Sequence, residues 1–377
     1  MMAEWIFWLS LLGAVFSYFL YPLLLQCIPA RRMSGAKEPG KSFPRISLIV
    51  TAHNEEARIK PKLQNCLLLD YPDLEIIVAS DASTDGTDEI VRSYSDANVV
   101  LARAEERKGK ENAQWQAIQQ ASGDILVFSD VATEIPEDAL RALARYFEDP
   151  EVGAVSSEDR FVSRDGGIAG EGAYVKYEMW LRKLESRRSG LVGLSGSFFA
   201  ARKSICKDWD IESPSDFNTA LNCARAGLVA VTAPDVLGYY KDVADPQREY
   251  NRKVRTVIRG MTALQRHAEV LNPLKFGWFS IQVLSHKVMR WAVPWCLLAL
   301  FIASLLLYHK GGFYWLATIG QFLFYGLVVA GHLSEPLRAK PYVKIPYFFL
   351  QVNIAIANAF IEFVRGKRMT VWAPSQR

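Results

Sequence analysis

Carboxylates follow directly on apolar, β-branched runs at three places in the chain. "ISLIVTA" (46–52) leads into His53, Asn54, Glu55 and Glu56, "LEIIVAS" (74–80) leads into Asp81, Ser83, Thr84 and Asp85, and "DILVFSD" (124–130) ends on Asp130. Such groups can face a phosphate-bearing ligand only with a divalent cation between them, and Mg²⁺ or Mn²⁺ prefers oxygen ligands of this kind. Neither GxGxxG nor GxxxxGK[ST] occurs, so a dinucleotide fold and a P-loop are both unsupported, and carboxylates rather than a glycine cradle must hold the ligand. Taken alone, Asp130 also fits a turn or capping residue ahead of the helix expected after Pro136.

The elements that would position these residues can be read from the alternation. "NEEARIKPKLQNCLLLD", "STDGTDEIVRSYS" and "KENAQWQAIQQA" read as helices, and "NVVLAR" as a further strand between them. Strands alternating with helices at this spacing predict an α/β fold built on a doubly wound, mostly parallel sheet. In such sheets ligands bind beyond the carboxyl ends of the strands, which is where the carboxylates gather.

The 377-residue chain is apolar at both ends. Residues 5–27 carry no charge over the roughly 20 residues a bilayer crossing needs, and read as a transmembrane helix rather than a cleaved signal. Residues 291–308 and 314–333 read as two more spans joined by "HKGGF". A last apolar run, 345–364, contains Asn353, Asn358 and Glu362 and reads as transmembrane or re-entrant, with 365–377 as a cytosolic tail. Arg31, Arg32, Lys37 and Lys41 follow the first span, so the positive-inside rule places the domain at 43–260 in the cytosol of an integral protein of the inner or cell membrane. Cys27, Cys66, Cys206, Cys223 and Cys296 are scattered and odd in number, as reduced cysteines there would be. A net charge of +4 without a basic block argues against nucleic acid and leaves lipid headgroups as the anionic partner.

"SLIVTAHNEEARI", "DASTDGT", "GKENAQWQAIQQASGDILVFSD", "LSGSFFAARK", "SDFNTAL", "EYNRKVR" and "LSHKVMRWAVPW" occur in the order of the membrane-integrated family 2 glycosyltransferases. Across roughly residues 43–294 the chain resembles that family, which includes poly-N-acetylglucosamine, hyaluronan and cellulose synthases. The resemblance implies a GT-A fold that binds a nucleotide-diphosphate sugar, points to UDP as the nucleotide, and implies inversion at the anomeric carbon. Ala52, His53, Glu55 and Asp81 would then face the base and ribose, Lys110 the nucleotide, and Asp130 the metal and diphosphate. His53 could equally be a surface loop residue, and Lys110 part of a solvated charge run.

The family writes Asp-x-Asp where this chain reads Asp130, Val131, Ala132. One carboxylate with phosphate oxygens and waters can still fill a Mg²⁺ or Mn²⁺ shell, so the departure leaves the second protein ligand open. Inversion needs one general base on the acceptor hydroxyl. Asp216 stands where the synthases carry the Asp of Thr-Glu-Asp, with a helix N-cap as the alternative. Glu158, Asp159 and Ser197 rank behind it as acceptor or donor-sugar contacts. In the register of Gln-x-x-Arg-Trp the chain has Arg252, Arg255 and Thr256, which keeps the arginine for the diphosphate but loses the acceptor-flanking aromatic.

Residues 171–188 put Tyr174, Tyr177, Trp180, Leu181 and Leu184 on one helical face among basic residues. The pattern suits a bilayer surface or an ordinary packed helix, and residues 261–290 are read as interfacial helices. The expected function is sugar transfer to a polysaccharide or lipid-linked saccharide on the cytosolic face. Single-step glycosylation of a membrane lipid, in the manner of a ceramide glucosyltransferase, is the alternative enzyme. A membrane-anchored scaffold with a degenerate nucleotide site is the alternative of another class.

Overall fold

The computed structural model describes residues 1–31, 43–162, 173–241 and 246–369. The linker from 34 to 42, Arg32, Lys37 and Lys41, and the tail from 370 lie outside the described residues. The chain divides into two units: Ile28–Ala244, Thr262–Gln282 and Met369–Arg377 in one, and Met1–Cys27, Asp245–Met261 and Val283–Arg368 in the other.

The first unit is built on seven strands: β1 (Ile46–Ala52), β2 (Leu74–Ser80), β3 (Val99–Arg103), β4 (Ile125–Asp130), β5 (Val152–Val162), β6 (Phe198–Arg202) and β7 (Val229–Lys241). They form one sheet in the order β3-β2-β1-β4-β6-β5-β7. β1 pairs parallel with β2 and β4, and β5 pairs parallel with β7; β6 runs antiparallel between β4 and β5. The expected mostly parallel α/β sheet is therefore present. All seven residues of β1 are buried, as a strand covered on both faces requires.

Alternation along the strands divides the core. Leu48, Val50, Ile59, Leu63, Val127 and Phe198 lie in one layer, and Ile49, Ile77, Phe128, Phe199 and Trp209 in the other. In the second layer Phe128 stacks on Phe199 with ring centroids 4.8 Å apart and on Trp209 at 5.0 Å.

The sheet register fixes where the loops emerge. Ala52 lies opposite Ser80, and Thr51 opposite Asp130, so the segments after β1, β2 and β4 leave along one edge. Because β6 runs the other way, its start arrives at that same edge: Ser129 faces Phe198, and the Asp130 N–H donates to the Ser197 carbonyl at 3.0 Å. β5 carries residues 157–159 to this edge too, since Ser156 lies opposite Phe199.

In the second unit and its flanks, four helices among the described residues are long and apolar enough to cross a membrane: Met2–Cys27, Trp278–Lys310, Gly312–Leu333 and Pro341–Val364. Two π-turns, Phe16–Leu20 and Leu284–Val288, interrupt the first and second of these helices. The Ser17 hydroxyl donates to the Ser285 carbonyl at 2.8 Å, giving a backbone group in the second turn a partner away from water. Gly13 lets Cys296 approach, for a Cβ there would stand 2.7 Å from the Cys296 sulfur.

The polar residues of the last apolar run find partners, except that the buried Asn353 side-chain oxygen takes no hydrogen bond among the described residues. Asn353 donates to its own helix at the Phe349 carbonyl (2.8 Å), Asn358 to the Tyr250 hydroxyl (3.3 Å), and Glu362 accepts from Lys367 (3.0 Å). On the helix Ala173–Ser186 the aromatic face divides: Leu181 is fully buried, whereas Tyr174 and Trp180 are exposed.

Candidate active site

The loop after β1 is tied to the loop after β2. Asn54 adopts φ 53°, a left-handed conformation that an Asn tolerates, which turns the chain after His53. Its side-chain oxygen accepts from the Thr84 N–H at 2.8 Å, and its own N–H reaches the Ser83 hydroxyl at 3.2 Å. The Glu55 N–H donates to Thr87 (2.8 Å) and the Glu56 N–H to Asp85 (3.1 Å). His53 is buried and its Nδ1 lies 2.7 Å from the Asp81 carbonyl, which excludes the surface-loop alternative.

Asp81 is fully buried, and its N–H returns to the Ala52 carbonyl at 2.9 Å. Its carboxylate accepts from the N–H groups of Lys108 (3.1 Å) and Gly109 (3.0 Å). Gly109 has φ 106°, a conformation that favours glycine, and it starts the helix Lys110–Gln120 from this anchored point. Asp81 thus sets where Lys110 begins.

Lys110 is buried rather than part of a solvated run. Its ammonium reaches the Asp130 carboxylate at 2.5 Å and the Gly196 carbonyl at 2.7 Å. Asp130 is a quarter exposed and, among the described residues, its second oxygen takes no hydrogen bond. Gly196 in turn borders Asp216: a Cβ on it would lie 3.5 Å from an Asp216 carboxylate oxygen. Asp130, Lys110, Gly196 and Asp216 therefore form a continuous series.

Asp216 is not a helix cap. The helix Ser215–Arg225 has Pro214 at its N-cap, which places Asp216 inside the first turn. Among the described residues its half-buried carboxylate takes no hydrogen bond or ion pair, so both oxygens are available to a proton.

Beside this series lies a hydroxyl-rich cluster. Ser195 and Ser197 donate to Asp159 at 2.7 and 2.8 Å. Burial pushes the Asp159 carboxyl above its ordinary range despite those hydroxyls and the charge of Arg182. Glu158 is ion-paired with Arg160 at 2.6 Å and Lys183 at 3.6 Å. Burial likewise raises Glu55, against the opposing charge of Arg58 at 2.7 Å and with Asp130 and Asp85 adding to the rise.

Arg252 and Arg255 lie on the helix Pro246–Arg266, in the part that belongs to the second unit. Arg252 is bonded to Glu249 at 2.7 and 2.8 Å, and Thr256 returns its hydroxyl to the Arg252 carbonyl at 2.9 Å. Two residues near the carboxylate edge escaped the sequence reading. Ser195 was signalled by the Ser-Gly-Ser spacing, which sets two hydroxyls on one side of an extended chain. Lys62 was signalled by its place at the i+3 position after Ile59 on the apolar stripe of its helix.

Residues 47–209 match the family profile described as Glycosyl transferase family 2. This segment is similar to family 2 glycosyltransferases. The chain containing it is 27% identical over 215 residues to a poly-beta-1,6-N-acetyl-D-glucosamine synthase of Staphylococcus epidermidis, and 28% identical over 218 residues to that of Staphylococcus aureus strain COL. Each alignment covers 55% of this chain and 50% of the relative, so the chain spans about half the length of the curated relatives it matches. Among solved structures, a mannosyltransferase from Pyrobaculum calidifontis in complex with GDP-Man and Mn²⁺ has a TM-score of 0.74 at 23% identity. That alignment covers 97% of this chain and 99% of the mannosyltransferase, so the two chains share a fold.

Proposed function

We propose that the chain is an inverting membrane glycosyltransferase that moves a sugar from a nucleotide-diphosphate donor to a polysaccharide or lipid-linked saccharide on the cytosolic face. The observation that carries this reading is the series Asp130–Lys110–Gly196–Asp216, in which a carboxylate held by a buried ammonium stands beside a carboxylate that takes no partner among the described residues. Lys110 supplies charge to the diphosphate side, Asp216 takes the acceptor proton, and Asp159 with Ser195 and Ser197 faces the transferred or accepting sugar. Ala52, His53, Glu55 and Asp81 form the nucleotide side. The family resemblance of the sequence favours UDP, whereas the mannosyltransferase complex with GDP-Man keeps GDP open.

A Mg²⁺ or Mn²⁺ ion fits this donor set. Asp130 offers one free oxygen, and no group of three or more His, Cys, Asp or Glu able to hold a metal occurs among the described residues. A cation that keeps its waters and takes phosphate oxygens needs only one such protein ligand, and when bound it would neutralise charge on the departing diphosphate. The complex of the mannosyltransferase with Mn²⁺ supports the same choice.

Thr256 favours one second reading. Its hydroxyl is returned to its own helix and it offers no aromatic surface to a growing chain, as single-step glycosylation of a membrane lipid would allow. Nucleotide release from UDP-, GDP- and TDP-sugars by the detergent-purified chain, with and without Mn²⁺, tests the common reading, and product length separates the two acceptors. No release with any donor would leave a scaffold in place of an enzyme.

A further inference from the structure

Lys62 stands on the core-facing stripe of the helix Glu56–Leu67 together with Ile59, Leu63 and Cys66, and is 3% exposed. Its ammonium donates to the Ser129 hydroxyl at 2.8 Å and to the Thr133 carbonyl at 2.5 Å. These two residues bracket Asp130. The Ser129 hydroxyl donates to the Asp130 carbonyl at 3.1 Å, the Thr133 N–H donates to that same carbonyl at 3.1 Å, and the Thr133 hydroxyl reaches the Ser197 carbonyl at 3.3 Å. One turn along the helix, Asn65 exchanges two hydrogen bonds with Ile135, at 2.8 and 3.0 Å.

A lysine amine buried on two neutral acceptors loses its hydration without gaining an ion pair, and an apolar residue of similar shape would fill the space without that cost. Its presence calls for a task at the turn. Resting on the functional reading above, we propose that Lys62 is a positioning residue: from beneath, it fixes the turn 130–133 so that Asp130 alone, with Ala132 in place of a second carboxylate, can meet a metal-bound diphosphate. A second carboxylate would let the cation brace the turn from both ends. With one, the bracing comes from the protein side.

The test uses the full chain in detergent, with Mn²⁺ and UDP or GDP as the probe. Free Mn²⁺ is followed by electron paramagnetic resonance, and amide exchange across 129–135 by mass spectrometry without any ligand. Lys62→Met is expected to keep or raise the thermal midpoint, to speed exchange in 129–135, and to weaken Mn²⁺–nucleotide binding about tenfold, the scale of a lost outer partner of a metal ligand. A lowered midpoint with binding and exchange unchanged marks a purely structural residue and overturns the inference. Should Lys62→Met fail to fold, Ser129→Ala removes one acceptor and is expected to give the same two changes in smaller degree; unchanged values there overturn it equally. Wild-type protein that binds no Mn²⁺–nucleotide removes the functional reading and this inference with it. Wild-type binding that Lys62→Met leaves intact removes this inference alone.

Discussion

At Asp216 a conservative change separates catalysis from folding. Asp216→Asn keeps the shape at the first helical turn, and with Pro214 as the N-cap no capping bond is lost. Donor binding should survive, while transfer falls by roughly 10²-fold or more, the scale of a missing general base. Calorimetric donor binding and single-turnover transfer on one preparation would check both, and equal loss of the two would return Asp216 to a structural role. Strain is also readable at this scale. Ala82 is held at φ 50°, which costs a residue bearing a Cβ about 1 kcal/mol or more. Ala82→Gly should therefore stabilise the protein by up to about 1 kcal/mol after the entropy of the added glycine is subtracted, as a rise in the thermal midpoint would report. His53, Lys110 and Asp130 were legible as candidates because each follows or opens an element at the carboxyl edge. Lys62 was not, since a lysine inside a helical stripe is ordinarily solvated, and only β4 packed over it turns it into a buried donor.

The strands were legible because β-branched runs bounded by polar loops have few alternatives; β1 and β2 fall on the expected residues. Helix ends were less so: "STDGTDEIVRSYS" forms helix only over Thr87–Arg92, because Asp85 uses its carboxylate to hold the N–H and hydroxyl of Thr87 and so keeps the preceding residues in a turn. The reversal of β6 was not legible at all, since strand direction is decided by partners distant in sequence. One element junction makes a pH prediction. Burial alone would raise the Asp210 carboxyl, but bonds from the Glu212 N–H, the Ser213 hydroxyl and Arg266 (2.7 Å) outweigh it and hold it below the ordinary 3.8. A depressed carboxyl stabilises the fold above its unfolded value, and that stabilisation is lost as pH falls through the folded one. Thermal unfolding followed from pH 7 downward should lose stability below about pH 4, and Asp210→Asn should flatten this acid limb while lowering the plateau. An identical acid limb in the variant would assign it to other carboxylates.

Across the molecule, the four helices of crossing length among the described residues set a parity. With the sheet domain cytosolic, as the basic residues after the first helix suggest, four full crossings would put residues 365–377 on the opposite side. The helix Pro341–Val364 is continuous over 24 residues, and the amide N–H groups of Asn353 and Asn358 both find acceptors, which favours the transmembrane course over the re-entrant one. Cysteine labelling at Ser375 in intact cells should then succeed without permeabilisation; labelling only after permeabilisation would restore a cytosolic tail. The sheet order has a consequence for how the protein is made. β5 bonds only to β6 and β7, both of which follow it in the chain, whereas β1 to β4 can assemble as they appear. At ~5–20 residues per second, the roughly 80 residues between the ends of β5 and β7 leave the ribosome over about 4–16 s, during which β5 has an open edge. Such an edge is a template for another nascent chain. The loops after β1, β2 and β4, proposed as the nucleotide side, are thus completed early in synthesis, and the hydroxyl cluster and Asp216 arrive only as the growing chain closes over a strand that has been waiting for them.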